Sequence, residues 1–174
     1  MTSNLGLGPY RLTQLFSTTT LALLFGSTTW ASLAVMPSLI DAPLSTHAKL
    51  SVFKGLILRA NAILAPAFLT TIAGLSFLAH GTSLSASRRN HLVALGAMVG
   101  ALGLQVPILP RNAEMVRVVD EGRGRDDDGS EADWRIGELW KFNLGRVVLT
   151  GMAFLVEVWE MVPKRDGMPL PVRV

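Results

Sequence analysis

Four long apolar stretches constrain this chain more than any other feature of its sequence. The first, residues 15–40, runs for 26 residues without a charged side chain. A helix needs about 20 mainly apolar residues to cross the hydrocarbon core of a bilayer. Similar stretches cover about residues 57–79, 92–110 and 139–161. We predict four transmembrane helices packed as an all-α, integral membrane four-helix bundle, with both termini on one side of the membrane. For the first stretch, a cleaved signal sequence is the alternative.

Charge is concentrated in one segment of the sequence. Of the 29 Lys, Arg, Asp and Glu residues, 15 lie between Arg111 and Lys141. A soluble domain of 174 residues must cover most of its surface with polar groups, and the remainder of this chain has too few. We therefore predict a single membrane domain over residues 1–174. Its glycine-rich residues 111–138 should form a long polar loop between the third and fourth helices, mobile or only partly ordered.

Several classes of function are disfavoured by composition. The chain has no cysteine, which excludes disulfide scaffolds, Cys-ligated metals and cysteine nucleophiles. Its Lys and Arg residues are scattered, so the net charge of +3 predicts no nucleic-acid partner. His47, His80 and His91 lack helical ligand spacing, and the acidic run 126–128 lies in a loop, so we expect neither a metal nor a diphosphate site. No cofactor fingerprint is present. The expected partner is the lipid bilayer, and the oligomeric state stays open.

The fourth predicted helix carries a polar stripe. At 100° per residue, Asn143, Arg146, Thr150, Glu157 and Glu160 fall within an arc of about 100°. Such a stripe should face the bundle interior. Arg146 and Glu157 are 11 residues apart, about 16 Å along the axis, so they cannot pair with each other. Each needs a partner on another helix, a water pocket or a ligand. The alternatives are that Arg146 binds carbonyls or hydroxyls of the first helix and that Glu157 lies among the lipid headgroups.

Two further polar groups lie near the ends of predicted spans. Asn112 follows Pro110 where the third helix should end, and it is either a site residue or an ordinary capping and turn residue. Arg59 and Asn61 stand at the start of the second span. They are candidate substrate-binding residues, although Arg59 is equally able to extend its side chain toward the membrane interface.

The layout of these elements resembles the family of small four-span membrane proteins that includes the fungal anthrone oxygenases. The resemblance covers nearly the whole chain and rests on short motifs. These are a hydroxyl-rich first helix ending in Met36-Pro37-Ser38-Leu39-Ile40-Asp41, then Phe53-Lys54-Gly55, Pro110-x-Asn112 and Trp140-x-x-Asn143-x-x-Arg146.

The resemblance implies a monooxygenase of secondary metabolism that oxidises an anthrone-type polyketide to an anthraquinone with O₂ and without a metal or other cofactor. Such an enzyme must bind a flat aromatic molecule, accept a proton and stabilise an oxyanion. Under this hypothesis Arg146 and Asn143, helped by Asn112, hold the substrate oxygens, and Trp140 stacks on the rings. The base is then one of His47, Asp41 or Glu157.

Two other functions are compatible with the sequence. The chain could be a non-enzymatic scaffold or accessory subunit, which should tolerate the loss of Arg146. It could also be another cofactor-independent enzyme, a cyclase or isomerase, which would consume no oxygen. For the oxygenase, the endoplasmic reticulum or another internal membrane is the expected location.

Overall fold

The structure, a computed structural model, describes residues 7–162, and this part of the chain is helical without a strand. Helix α1 covers Leu7–Trp30 and continues through a π-helical segment, Ala31–Val35, into α2, Met36–Asp41. The remaining helices are α3 (Thr46–Gly81), α4 (Ser85–Gly103), α5 (Ile108–Asp120) and α6 (Ser130–Met161).

These helices form the four predicted membrane spans. Within residues 7–162, four helical segments are long and apolar enough to cross a bilayer, namely Gly8–Asp41, Thr46–Gly81, Ser85–Asp120 and Ser130–Met161. The chain is therefore a multi-pass, all-α membrane bundle, as the sequence predicts. An even number of spans brings the start of α1 and the end of α6 to the same end of the bundle, here called the terminal end. The other end, with the 42–45 and 121–129 connections, is called the loop end.

The third span is bent instead of ending at Pro110. A turn at residues 104–107 separates α4 from α5, and Pro107 directly precedes α5. Pro110 lies in the first turn of α5, where a proline is tolerated because its missing N–H would have no helical partner. Asn112 is therefore a residue within a helix, and the prediction that the third helix ends before it is wrong.

The long polar loop predicted at residues 111–138 is largely helical, so this expectation is corrected. Helix α5 extends to Asp120 and α6 begins at Ser130, which leaves only residues 121–129 as a connection. The charged residues that made this segment look like a loop form ion pairs at helical spacing. Arg117 pairs with Glu114 at 2.6 Å and Arg135 with Glu131 at 2.7 Å. An apolar face that includes buried Met115 and Val118 packs α5 into the bundle.

The acidic run stabilises helix starts. Asp127 accepts a hydrogen bond from the backbone N–H of Thr46 at 2.7 Å, and Asp128 accepts one from Ser130 at 3.0 Å. These backbone donors hold the pKa of Asp127 and of Asp128 below the usual range for aspartate. The backbone N–H of His47 donates to the carbonyl of Gly124 at 2.7 Å. The connection is thus docked on the start of α3. Within residues 7–162, no group of three acidic or histidine side chains is placed to hold a metal ion.

An ion pair with a buried lysine holds the loop end together. Lys49, only 2% exposed, donates to Asp133 at 2.5 Å and to the carbonyl of Ile40 at 2.8 Å, which ties α2, α3 and α6 to one another. An apolar core surrounds this end and includes Leu50, Phe53, Ile136 and Leu139. A second core fills the terminal half of the bundle. The region between these two cores contains the candidate site.

Candidate functional site

A cavity of about 240 Å³ lies between the two apolar cores. Its walls come from the end of α1 with the π segment, the first half of α3, the bend before α5, and the middle of α6. Most lining side chains are apolar, including Met36, Phe53, Ile57, Ile108 and Leu139. An apolar cavity of roughly 150 Å³ accepts a benzene ring. This space therefore has room for a larger, flat aromatic group.

Arg146 supplies the one charged side chain among the described residues that line this cavity. Its guanidinium carbon lies 5.3 Å from the centre of the Phe68 ring, and its Nε is buried without a hydrogen-bond partner. Within residues 7–162, no carboxylate lies within ion-pair distance of it. Arg146 is half-buried, and a charged group that is partly removed from water is costly unless it is paired. Arg146 thus provides an uncompensated positive charge beside an apolar space.

Asn143, one turn before Arg146, is anchored to the first span. Its Nδ2 donates to Ser32 Oγ at 2.6 Å and to the carbonyl of Thr28 at 3.3 Å. Ser32 belongs to the π-helical segment, and wide turns of this kind are frequent at functional sites. Asn143 therefore fixes the position of α6 against α1 at the level of the cavity. It is a positioning residue as well as a lining residue.

Asn112 and Asn61 complete the polar lining from the opposite side. Asn112 lies on α5, and its Oδ1 is buried without a hydrogen-bond partner within the described residues. Asn61 lies on α3. The structure thus brings together four of the predicted site residues, Arg146, Asn143, Asn112 and Asn61, which come from three different helices. The asparagines offer both donors and acceptors, so they are suited to orient a ligand that carries carbonyl or hydroxyl oxygens.

The three predicted bases lie outside the cavity. Asp41 is exposed at the end of α2, and His47 lies in the first turn of α3, where the 121–129 connection docks. Glu157 lies on α6 toward the terminal end, beyond Thr150. Among the described residues, no carboxylate or imidazole lines the cavity. Glu157 shares the polar stripe of α6 with Arg146, but a spacing of 11 residues separates the two along the helix axis.

Two predicted substrate-binding residues are also placed elsewhere. The Trp140 ring packs against the apolar core of the loop end and does not line the cavity, and its Nε1 is buried without a partner. Arg59 is exposed on α3, as expected for a side chain that extends toward an interface. On a helix, residues two or six positions from a lining residue point in different directions. The Arg59 side chain therefore points away from that of Asn61, and the Trp140 side chain points away from that of Arg146.

A second polar cluster, which the sequence did not reveal, lies near the terminal end. Glu157 is fully buried, and its Oε1 lies 2.8 Å from Nδ1 of His91, which is also fully buried. The His91 Nε2 lies 2.9 Å from the Tyr10 hydroxyl. Glu157 therefore has the partner on another helix that its position required, and its side chain is enclosed by protein. Three helices, α1, α4 and α6, meet through this chain of hydrogen bonds.

The fold and composition define a multi-pass membrane protein in a lipid bilayer. No protein-family model, curated protein or solved structure matches the chain. The argument for function therefore rests on the cavity and its residues.

Proposed function

We propose that this protein is a membrane-embedded, cofactor-free oxygenase that converts an anthrone-type aromatic polyketide into an anthraquinone with O₂. The observation that supports this proposal is the unpaired guanidinium of Arg146 beside an apolar cavity. The ligand that such a site favours is flat and apolar, and it carries an oxygen that becomes negatively charged. The anion of an anthrone has these properties, because its charge spreads from the ring carbon onto the carbonyl oxygen.

This reaction can proceed without a redox cofactor, provided that the protein binds the substrate and stabilises its anion. The anthrone loses a proton from its CH₂ group, and the resulting carbanion gives one electron to O₂. The substrate radical and superoxide then join through a new C–O bond, which yields a hydroperoxide. Cleavage of the O–O bond with loss of the second ring C–H proton forms the new carbonyl and releases water. One anthrone and one O₂ thus give one anthraquinone and one water.

Arg146 would accelerate the first step by electrostatic stabilisation. Its positive charge is fixed before the substrate arrives, and the apolar walls keep the local dielectric low, which strengthens the attraction to the developing oxyanion. Asn112 and Asn61 would orient the ring oxygens. Since no carboxylate or imidazole lines the cavity within the described residues, the proton leaves to water at the cavity mouth. Arg146 makes this possible by raising the acidity of the bound anthrone.

The membrane location suits this substrate. A flat aromatic polyketide and O₂ both partition into the bilayer, so an enzyme in the membrane meets both at a raised local concentration. An internal membrane such as the endoplasmic reticulum is the proposed compartment, because polyketide intermediates arise inside the cell.

Anthrone oxidation in proteoliposomes tests the proposal. Wild-type protein should form quinone above the spontaneous rate, with one O₂ consumed per quinone and no effect of chelators. Arg146→Leu should reduce the rate to the spontaneous level. Arg88→Leu, which removes an exposed arginine of α4, is the matched control and should keep the wild-type rate.

Three results would contradict the oxygenase. An Arg146→Leu protein that is inserted and fully active would show that the guanidinium is not used. Conversion of the anthrone without O₂ consumption would favour a cyclase or isomerase in the same cavity. A folded wild-type protein that leaves the spontaneous rate unchanged for a panel of anthrones would favour the scaffold.

A further inference from the structure

A second cleft lies on the outer surface of the bundle beside the cavity. It has a volume of about 350 Å³ and lies between α3 and the first span at the level of the π segment and α2. Three of its residues, Trp30, Val35 and Leu56, also line the cavity. The outer part of the cleft is formed by residues that include Ala34 and Val52. The two spaces therefore share a wall.

The cleft faces outward on the bundle. Trp30 is 68% exposed and Val52 is 51% exposed, and both lie on helices long and apolar enough to cross a membrane. Exposed apolar side chains are ordinary on a lipid-facing surface. This surface differs from the others because its inner wall is also the wall of a cavity that contains an unpaired arginine.

We propose that this cleft is the entrance through which the flat apolar ligand passes sideways from the bilayer to Arg146. This inference rests on the function proposed above, since it takes the same ligand. The side chains of Trp30, Val35 and Leu56 line both spaces, so in this proposal their movement joins the cleft to the cavity.

The chemistry of the two spaces supports a single route. Ser38 is the one polar residue of the cleft among the described residues, whereas Arg146 and the asparagines line the cavity and not the cleft. An apolar ligand would therefore leave lipid, cross an apolar entrance, and meet polar groups only at its destination. It would not have to pass through bulk water on the way in, which avoids the cost of exposing its apolar surface to water.

Filling the entrance without touching the cavity tests this proposal. Val52→Trp and Ala34→Phe enlarge side chains that line the cleft alone. Val148→Trp is the matched control, because Val148 is also an exposed valine, lies on α6 and lines neither space. The probe is 1-hydroxyanthraquinone, which cannot be oxidised further at the reacting carbon. It is preloaded into lipid nanodiscs, and its association and dissociation rates are measured by stopped-flow fluorescence.

A narrower entrance must slow passage in both directions. We expect association and dissociation to fall by the same factor, about tenfold in Val52→Trp, with an unchanged Kd, and no change in Val148→Trp. Unchanged rates in both filled variants, or a raised Kd with normal association, would overturn the entrance while leaving the cavity as the binding site. Failure of the wild-type protein to bind the probe would overturn the proposed function and the entrance with it.

Discussion

Replacing Arg146 by leucine should stabilise the protein while it abolishes activity. If Arg146 had a structural role instead, its replacement would destabilise the fold. Arg146 has neither a carboxylate nor a hydrogen-bond acceptor within residues 7–162, and its defined contact is the ring of Phe68. Its charge is therefore partly desolvated without a compensating partner, and removing the charge removes that cost.

The size of the effect follows from two opposing terms. An arginine near the centre of a membrane helix raises the free energy of insertion by about 2.5–3.5 kcal/mol, and a leucine lowers it by about 0.3–0.6 kcal/mol. Replacing the arginine by leucine should therefore stabilise the inserted helix by about 3–4 kcal/mol. Loss of the cation–π contact with Phe68 lowers this gain in stability by about 0.5–2 kcal/mol. The half-buried position of Arg146 lowers the gain further, because part of the side chain remains accessible. We expect a net increase of about 1–2 kcal/mol in the free energy of unfolding.

Reversible unfolding in mixed micelles with increasing sodium dodecyl sulfate measures this change, followed by circular dichroism of the helices. The control variant Arg88→Leu removes an exposed charge and should shift the free energy of unfolding by less than about 0.5 kcal/mol. If Arg146→Leu instead lowers the stability by 1 kcal/mol or more, Arg146 has structural partners, and the reasoning about an uncompensated charge is refuted.

Three other perturbations test the surrounding structure. Glu157→Ala leaves fully buried His91 Nδ1 without its hydrogen-bond partner and should lower the free energy of unfolding by about 1–3 kcal/mol in the same assay; an unchanged or raised stability would mean that the two side chains are not paired as described. Gly129→Ala should lower the melting temperature, because Gly129 has φ +81° and an added Cβ would lie 2.2 Å from the carbonyl oxygen of Leu44; a variant as stable as wild type would contradict this loop conformation. Asp127→Asn should weaken the pH dependence of stability in acid. The folded-state pKa of Asp127 is lowered, so its contribution is present above the unfolded value and is lost as pH falls through the folded value. An identical acid melting profile for Asp127→Asn and wild type would contradict the capping role of this carboxylate.

The fold was predictable from sequence because it depends on a property that each segment carries by itself. Hydropathy marks the four spans, and a chain in lipid must satisfy its backbone hydrogen bonds within each span, which leaves the helix as the solution. The prediction of a loop at the charged segment 111–138 was wrong because it also relied on hydropathy. The segment is polar, as predicted, but ion pairs such as Arg117 with Glu114 and the burial of Met115 stabilise its helices. Composition alone does not show these contacts.

The site was predictable only in part. The stripe on α6 placed Arg146 and Asn143 on one inward face, because helical periodicity relates residues of one helix. The position of Asn112 and Asn61 beside them depends on how three helices pack, and the bend before α5 brings Asn112 inward. The pairing of His91 with Glu157 also joins two helices across 66 positions of sequence. Nothing in either local segment signals that contact.

The most direct test of the oxyanion site is the ionisation of a bound hydroxyanthraquinone, whose visible absorption changes when its phenol loses a proton. The probe 1-hydroxyanthraquinone is titrated with base in nanodiscs that contain wild-type or Arg146→Leu protein. If Arg146 stabilises a ligand oxyanion, the wild-type protein should lower the ionisation midpoint of the bound probe by about one pH unit or more, and Arg146→Leu should not. Equal midpoints in the two proteins, with the probe bound to both, would contradict the assignment of this cavity as an oxyanion-binding site.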